Sequence, residues 1–455
     1  MNTRSTVHSK LPSPRASDQG GPSPGPGPAP TSRLVRLSSL AAVAMTVLAP
    51  ARAAEASRAT EGPRDNAVTH WNRVATDAFA PSQGTNPMAQ SRTLAIVHAA
   101  IHDAVNAVDR RFESYTPGLA EAPGASLEAA VATAARDVLV TLLPDQVALV
   151  ETEYARALAL VTDGSAKAAG VATGKAAAAA TLTRRARDGA AEAAMPYLPR
   201  SGPGEYQFTG PFDFAAQPGW GKVKPFVVDP REHALPGPQS LATEDYARDL
   251  AHVLAIGGEK STVRTPGQSE IAKFWYEDSP LGWNRIANTA IRQRNLDPWN
   301  AARAFALVNF AMADGFIVGF EAKYHFRFWR PETAVRQAAG DGNPRTQVDA
   351  SWKPFLITPP VPDYPSTHTV LGWAAAEALI SVLGDDVPFV ADSLTLPGVT
   401  RRYDKLSVAA EENGLSRVYA GIHFQHAVKH GKRQGRSIGR ATVKALQPIR
   451  VTSRQ

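Results

Sequence analysis

Apolar side chains recur at a spacing of three to four residues along most of this chain, which is the spacing of an amphipathic helix. The segments with this pattern are 68–78, 94–108, 245–256, 271–276, 301–320, 370–383 and 422–446. Two alanine-rich segments, 129–143 and 166–183, favour helix by composition. No alternating pattern is long enough to anchor a sheet. The sequence therefore predicts an all-α protein built of helical bundles.

The segment 196–240 differs in composition from the segments around it. It is rich in glycine, proline and aromatic residues, which predicts a long irregular connection. The connection would separate an N-terminal helical part, 55–195, from a C-terminal helical part, 241–455. The C-terminal part contains the residues for which we predict an oxyanion site below.

The first 54 residues contain six Lys or Arg and one Asp, and so contribute most of the net charge of +7. A Pro/Gly-rich run over 12–30 is predicted to be disordered. A basic flank, an apolar stretch at 37–49 and a small-residue site ending at Ala53 follow, as in a secretory signal peptide. We expect cleavage near Ala53, a secreted or periplasmic location and no integral membrane span in the mature chain. An N-terminal membrane anchor is the alternative.

The chain has no cysteine, which excludes disulfides, thiol catalysis and cysteine-bound metals. A metal site would need His and carboxylate ligands. His98 and His102 have the i, i+4 spacing of a helical metal site, but their place beside an apolar stripe favours a structural role. His426 and His430 repeat the spacing among lysines and arginines, which favours a solvated basic face. The sequence contains neither a Gly-rich phosphate loop nor a Gly-x-Ser-x-Gly elbow.

The segment 323–331 combines two cations with aromatic neighbours. Lys323 and Arg330 are seven residues apart, or about two helical turns. We therefore expect both on one face of a helix that ends at Pro331. Two cations flanked by aromatic rings are typical of a partly desolvated anion site.

Two further motifs supply groups that bind or transfer oxyanions. Ser366, Thr367 and His368 precede the apolar segment 370–383, so they would lie at a helix N-terminus with unpaired N–H groups. Arg417 and His423 are six residues apart and would diverge by about 120° on one continuous helix. We therefore expect a break between them, at Gly421.

These three motifs, taken together, resemble the signature of vanadium-dependent haloperoxidases and of type-2 phosphatidic acid phosphatases and bacterial acid phosphatases. The matching patterns are Lys323-x6-Arg330-Pro331, Pro365-Ser366-Thr367-His368 and Ser416-Arg417-x5-His423. Segments at 71–72, 95–100, 220–226 and 261–266 resemble the soluble bacterial haloperoxidase-related branch, and the likeness covers most of 65–445.

The resemblance implies a role for each of these residues around a vanadate cofactor. His423 would be the vanadate ligand, while Lys323, Arg330 and Arg417 neutralise the oxygens. The Ser366 hydroxyl and the Thr367 backbone N–H would donate hydrogen bonds, and His368 would deprotonate hydrogen peroxide. Lys323 would polarise the bound peroxide, so that its oxygen passes to a halide.

The same residues allow two other functions. In a soluble acid phosphatase, His423 would attack phosphorus and His368 would protonate the leaving alcohol of a phosphate ester. The other alternative to the haloperoxidase is a catalytically weak oxyanion-binding protein. Because the positive charge lies mainly in the leader and the final helix, we expect no nucleic acid partner. The sequence does not indicate whether the protein forms a homo-oligomer, which halide it prefers or which organic acceptor it uses.

The motifs depart from the family pattern at two positions. Thr367 stands where relatives have glycine, which would tighten access to the oxyanion. Ala427 stands where many relatives carry an Asp that orients the final histidine. A backbone carbonyl or another side chain would then orient the ring, and Asp314 is one candidate side chain. A missing carboxylate would weaken phosphohistidine chemistry more than vanadate binding, which favours the peroxidase.

Overall fold

Thirteen α-helices and one short two-stranded ribbon form most of the regular structure in residues 65–79 and 86–449, the parts of the chain that the computed structural model describes. The all-α prediction is confirmed. The signal-peptide and disorder predictions for residues 1–54 lie outside the described residues. The described residues belong to one compact unit, and the division into two helical parts stays a prediction.

The helices in chain order are α1 (Ala67–Phe79), α2 (Pro87–Val108), α3 (Leu127–Leu142), α4 (Val147–Ala159), α5 (Ser165–Arg185), α6 (Glu244–Gly257), α7 (Pro266–Phe274), α8 (Ser279–Gln293), α9 (Pro298–Phe326), α10 (Pro331–Gln337), α11 (Thr367–Leu383), α12 (Leu406–Tyr419) and α13 (Gln425–Thr442). The strands β1 (Phe389–Ala391) and β2 (Arg401–Tyr403) pair antiparallel, with Val390 opposite Arg402. Every segment with a helical stripe in the sequence falls largely within one of these helices.

Helix α9 is the central element of the fold. The Asp297 side chain caps it by accepting a hydrogen bond from the backbone N–H of Asn300. Pro298 is its first residue and has no backbone N–H that would remain unpaired there. It packs against α2 on one side and α11 on another. Among the described helices it is the one long and apolar enough to cross a membrane, but 94% of its most apolar stretch is buried inside the protein. Burial on all sides accounts for its apolar composition.

Helix α13 packs closely on α11 through glycine. A Cβ at Gly431 would lie 2.6 Å from the carbonyl oxygen of Ser366, so a side chain there would separate the two helices. The close contact places α13 directly behind the N-terminus of α11. The opposite face of α13 carries the basic residues that the sequence shows.

The connection 196–240 is irregular except for two 3-10 helices, Trp220–Lys222 and Pro230–His233. It is nevertheless attached to the C-terminal half. Tyr206 donates its N–H to the carbonyl of Arg327 at 2.7 Å, and Ala216 donates to the carbonyl of Pro360 at 2.7 Å. These bonds hold the connection against the segments that carry the predicted site.

Candidate functional site

The helix that carries Lys323 ends before Arg330, so the prediction of a single helical face for the two cations is wrong. Helix α9 ends at Phe326. The next residue, Arg327, adopts a left-handed conformation with φ 49° and donates its N–H to the Lys323 carbonyl. Phe328 then forms an isolated bridge with Glu205 of the connection. This long-range pairing outweighs the local helical pattern, and Arg330 becomes the N-cap residue of α10.

Backbone carbonyls of the segment 361–363 hold both cations. Lys323 Nζ donates to the carbonyls of Pro362, at 2.6 Å, and Asp363, at 3.0 Å. Arg330 Nε donates to the carbonyl of Val361 at 2.7 Å. Both side chains are only 1% exposed. The two cations therefore converge through a shared carbonyl segment rather than through a shared helix.

The N-terminus of α11 carries Ser366 and Thr367, as the sequence predicts. Ser366 is the N-cap residue, and its N–H donates to the Ala427 carbonyl at 3.0 Å. Its hydroxyl oxygen accepts from Thr369 Oγ1 at 2.9 Å. Thr367 begins the helix without a positive φ, so the substitution for glycine carries no backbone strain. Its buried hydroxyl has no hydrogen-bond partner in the structure.

His368 is held through one ring nitrogen. Its Nδ1 lies 3.0 Å from Ser279 Oγ, and its buried Nε2 has no hydrogen-bond partner. Burial lowers the pKa of His368 well below its usual value, and the positive charge of Arg417 lowers it further. The ring is therefore neutral near pH 7. Ser279 at the start of α8 was not predicted as a site residue.

The chain breaks at Gly421, as the sequence predicts. Helix α12 ends at Tyr419, and Gly421 adopts φ 76°, a conformation that disfavours side chains. A Cβ at this position would also overlap the carbonyl group of Gly257. The turn leaves Arg417 buried on α12, where its Nη1 donates to the Trp275 carbonyl at 3.2 Å, and His423 beyond the break.

His423 contacts a different charged group at each ring nitrogen. Nε2 lies 3.0 Å from Arg330 Nη1, and Nδ1 lies 2.8 Å from Asp363 Oδ1. A guanidinium can only donate, so we assign Nε2 as the acceptor and place the proton on Nδ1, facing Asp363. The Nδ1 contact has ion-pair distance without the alignment of a hydrogen bond. Burial, followed by the positive charges nearby, lowers the pKa of His423 well below its usual value.

Asp363 is the carboxylate beside His423 that the sequence analysis missed. The proposed substitute, Asp314, is wrong because its carboxylate accepts the backbone N–H groups of 226–228 at 2.6 to 3.0 Å and so fastens the connection to α9. Asp363 lies three residues before Ser366, and this proximity to a predicted motif was the available signal. Since a carboxylate contacts His423, the sequence-based reason for favouring peroxidase over phosphatase no longer holds.

The site carries an excess of buried positive charge. Burial lowers the pKa of Lys323 well below its usual value, and the neighbouring arginines lower it further, while Asp363 opposes them. Burial likewise lowers the pKa of Arg417 to about 10. The charge of Asp363 raises the pKa of both Lys323 and Arg330 against the effect of burial. Three cations facing one carboxylate suit an anion with more than one negative charge.

A cavity of about 290 Å³ opens at these residues. Six of the seven predicted site residues line it, namely Lys323, Arg330, Thr367, His368, Arg417 and His423. Ser366 does not line the cavity and is fully buried. The remaining lining is largely apolar and includes Phe316 and Phe320, which precede Lys323 on α9 by seven and three residues and so share its helical face.

The two other histidine pairs lie outside this cavity. His98 Nε2 bonds to Asn72 Oδ1 at 3.1 Å and His102 Nε2 to the carbonyl of Glu113 at 3.0 Å, so both have the structural role expected. The expectation of a solvated face is wrong for the second pair. His430 Nδ1 lies 2.5 Å from the hydroxyl of the buried Tyr364, and the His426 ring stacks on Tyr364.

Comparison with known proteins links this site to a family. Residues 303–451 match the family described as the VCPO second helical-bundle domain. A vanadium chloroperoxidase of Curvularia inaequalis is 27% identical over 286 residues, which are 47% of this chain and 46% of that protein. The chain thus spans about half the length of this curated relative.

Solved structures give the same comparison over more of the chain. A bacterial vanadium-dependent iodoperoxidase superposes with a TM-score of 0.73 at 27% identity, over 86% of this chain and 100% of that chain. The holo form of a bacterial vanadium-dependent chloroperoxidase superposes with a TM-score of 0.64 at 19% identity, over 79% and 92% of the two chains. The second likeness supports the fold alone.

Proposed function

Since the chain belongs to the vanadium haloperoxidase superfamily, we propose that it is a vanadium-dependent haloperoxidase, which oxidises a halide with hydrogen peroxide. The observation that carries this proposal is the convergence of three buried cations on a neutral histidine. Arg330 reaches His423 Nε2 directly, and Lys323 and Arg417 line the same cavity. A neutral imidazole nitrogen can ligate a metal through its lone pair, and at His423 Nε2 the Arg330 guanidinium would have to move aside for this.

The residues present fit vanadate. His423 would ligate it, Lys323, Arg330 and Arg417 would neutralise its oxygens, and the N-terminus of α11 would add N–H donors. Two buried donors without partners, Thr367 Oγ1 and Arg417 Nε, are consistent with an oxyanion at this place. Bound vanadate would supply a Lewis-acidic centre at which hydrogen peroxide is activated toward halide.

The chain itself supplies the proton transfer and the fixed charges. We assign the proton of His368 to Nδ1, where it donates to Ser279 Oγ, so the lone pair of Nε2 can accept a proton from hydrogen peroxide. Lys323 uses two of its three N–H donors on backbone carbonyls, which leaves the third for the substrate oxygen. Because these charges are already in position, little reorganisation is needed when negative charge develops.

A phosphatase is the second candidate, and the contact between Asp363 and His423 supports it. A carboxylate at Nδ1 stabilises the positive ring that forms when Nε2 attacks phosphorus. In that reaction His368 would protonate the leaving alcohol. The same cations would neutralise the phosphate oxygens.

One paired assay tests both candidates. Protein stripped of anions is incubated with vanadate, then assayed for bromide- and peroxide-dependent halogenation and for hydrolysis of 4-nitrophenyl phosphate. Halogenation that depends on vanadate supports the first proposal, whereas hydrolysis without halogenation contradicts it. His423→Ala should lose vanadate retention, and His98→Ala, a histidine outside the cavity, should retain it. Retained vanadium in His423→Ala would show that the ligand is misassigned.

We also propose that the protein is exported, on the basis of the leader sequence. The test is expression of the full chain in a secreting bacterial host, followed by mass spectrometry of the exported protein. A mature N-terminus near Ala54 supports cleavage after Ala53. An uncleaved, membrane-bound product would support the anchor instead.

A further inference from the structure

A groove of about 690 Å³ lies on the outer face of α13 and of the turn after it. Six of the ten described residues that line this groove are Lys or Arg, namely Lys429, Lys432, Arg433, Arg436, Arg440 and Lys444. Glu232 is the one carboxylate in the lining. None of the ten lines the oxyanion cavity, so the proposed reaction gives this groove no role. Like charges this close repel one another, and an anion that binds among them removes the repulsion.

The cations form a row along the helix. Five of them recur at intervals of three or four residues and therefore share one helical face, namely Lys429, Arg433, Arg436, Arg440 and Lys444. Four residues advance about 6 Å along a helix axis, and the whole row extends about 22 Å. The row therefore suits a linear anion with one charge about every 6 Å better than a single compact anion.

Glycines fix the direction in which the row faces. Gly431, Gly435 and Gly439 recur every four residues on the face that packs against α11. A Cβ at Gly439 would lie 2.7 Å from the carbonyl oxygen of Ala374, which leaves no room for a side chain. Helix α13 cannot rotate about its axis without displacing α11. The basic face is therefore held toward solvent.

Three of the six cations have carboxylate partners. Glu377 on α11 accepts hydrogen bonds from Arg436 Nε at 2.5 Å and from Arg440 Nε at 3.0 Å. Glu411 pairs with Lys432 at 2.7 Å. The two arginine side chains are still 41% and 62% exposed, so they can also reach an anion in the groove.

The other three cations, Lys429, Arg433 and Lys444, have no carboxylate within ion-pair distance among the described residues. His233 also lines the groove. Its Nδ1 lies 2.9 Å from Ser437 Oγ, while its buried Nε2 has no hydrogen-bond partner in the structure. The groove thus keeps positive charge and polar groups that an anion would pair with.

We propose that this groove binds a linear polyol phosphate, a polymer in which phosphodiesters alternate with short polyols. Its phosphates would accept hydrogen bonds from the lysines and arginines. A single-stranded nucleic acid gains affinity by stacking its bases on aromatic side chains, and the described lining contains no Phe, Tyr or Trp. A membrane surface is bound through large apolar side chains as well as charge, and Ala441 is the only apolar residue in this lining.

Fluorescence anisotropy of a labelled glycerol phosphate octamer, titrated with the full chain, measures binding. The groove variant combines Lys429→Gln, Arg433→Gln and Lys444→Gln. We expect the wild type to bind, and the groove variant to bind roughly a hundredfold more weakly at about 0.1 M salt. The plot of log K against log salt concentration should also become less steep by about 2, since each lost phosphate contact removes about 0.7 from the slope.

The control variant combines Lys175→Gln, Arg187→Gln and Lys260→Gln, which are three exposed cations outside the groove. It has the same net charge and the same leader as the groove variant, so it should bind within about twofold of the wild type. Urea unfolding should give both variants the stability of the wild type, because all six side chains are exposed. No binding by the wild type, or equal losses in the two variants, would overturn the proposal.

Two other ligands test the chemistry of the partner. A thymidylate octamer has a similar charge spacing and adds bases, and we expect it to bind no more tightly than the glycerol phosphate octamer. Tighter binding of thymidylate would assign the groove to nucleic acid. Sedimentation of the wild type, but not of the groove variant, with phosphatidylglycerol vesicles would assign it to a membrane surface. Either result would overturn the polyol phosphate. All these measurements are independent of the reaction at the oxyanion cavity.

Discussion

His423 and Asp363 meet in the protein interior although sixty residues separate them in the chain. Nδ1 of the ring lies 2.8 Å from the carboxylate, and both side chains are at most 4% exposed. The carboxylate comes from the segment before α11, not from the helix after the histidine, where the corresponding residue is Ala427. The ring therefore has a nearby carboxylate despite the alanine.

Asp363→Asn should weaken vanadate binding by about tenfold, because the amide replaces the carboxyl group that orients the His423 ring. The measurement is equilibrium binding of vanadate. Asp163→Asn is the control, since the Asp163 side chain is 95% exposed and far from any predicted site residue in sequence. An unchanged dissociation constant for Asp363→Asn would show that the contact does not act on the ligand.

Gly421→Ala should destabilise the protein more than Gly398→Ala. Both glycines have positive φ, so alanine costs about 1–2 kcal/mol of unfolding free energy at either position. Gly398 has open space around it, whereas a Cβ at Gly421 overlaps Gly257, which should add about 1–3 kcal/mol. Urea unfolding measures both variants. Equal losses would contradict a tight contact at Gly421.

Ser279→Ala should slow halogenation by about tenfold and leave vanadate affinity unchanged, because the hydroxyl orients His368 and not His423. Steady-state kinetics in bromide and peroxide give the rate, and vanadate titration gives the affinity. Ser279→Thr retains the hydroxyl and should keep most of the rate. If Ser279→Ala also lost vanadate binding, Ser279 would have a structural role and not the role of orienting His368.

The free energy of unfolding should fall as the pH rises from about 4 to 7, because of the buried carboxyl group of Asp103. Burial raises its pKa to about 7 from the ordinary 3.8, so in this interval the folded protein holds a proton that the unfolded chain has lost. The stabilisation is complete below pH 4 and is lost as pH approaches 7. A tenfold difference between the acid constants of the folded and unfolded states corresponds to about 1.4 kcal/mol of unfolding free energy.

Urea unfolding of the wild type and of Asp103→Asn across this pH interval isolates the effect. We expect Asp103→Asn to be less stable than the wild type at low pH, because the amide cannot accept both the Tyr115 and Thr116 N–H groups as the carboxyl does. The difference in unfolding free energy should shrink as the pH rises. Parallel pH curves for the two proteins would contradict the raised pKa.

Features that depend on local chain geometry were predictable from the sequence. The all-α fold follows from apolar spacing, the break at Gly421 from the angular separation of Arg417 and His423, and the helix N-terminus beside Ser366 from the motif before an apolar run, although the helix begins three residues earlier than predicted. In each of these cases the information lies within about one or two helical turns.

Features that depend on distant contacts were not predictable. The helix through Lys323 stops because Phe328 pairs with Glu205, more than a hundred residues earlier. Asp363 does not belong to a periodic apolar pattern, so the surrounding sequence does not indicate its contact with His423. Helices α4, α8, α10 and α12 were also missed. The relevant contacts form only when the connection and the segment before α11 fold against α9.

The hydrogen bond from Arg330 to His423 Nε2 has a kinetic consequence for cofactor loading. The guanidinium covers the lone pair that would ligate vanadium, so it must move before that bond forms. Vanadate uptake should then follow two stages, a fast electrostatic encounter and a slower exchange at the ring. In stopped-flow experiments the observed rate should level off at high vanadate concentration. The residue that stabilises the bound anion would thereby also set how quickly the enzyme becomes active.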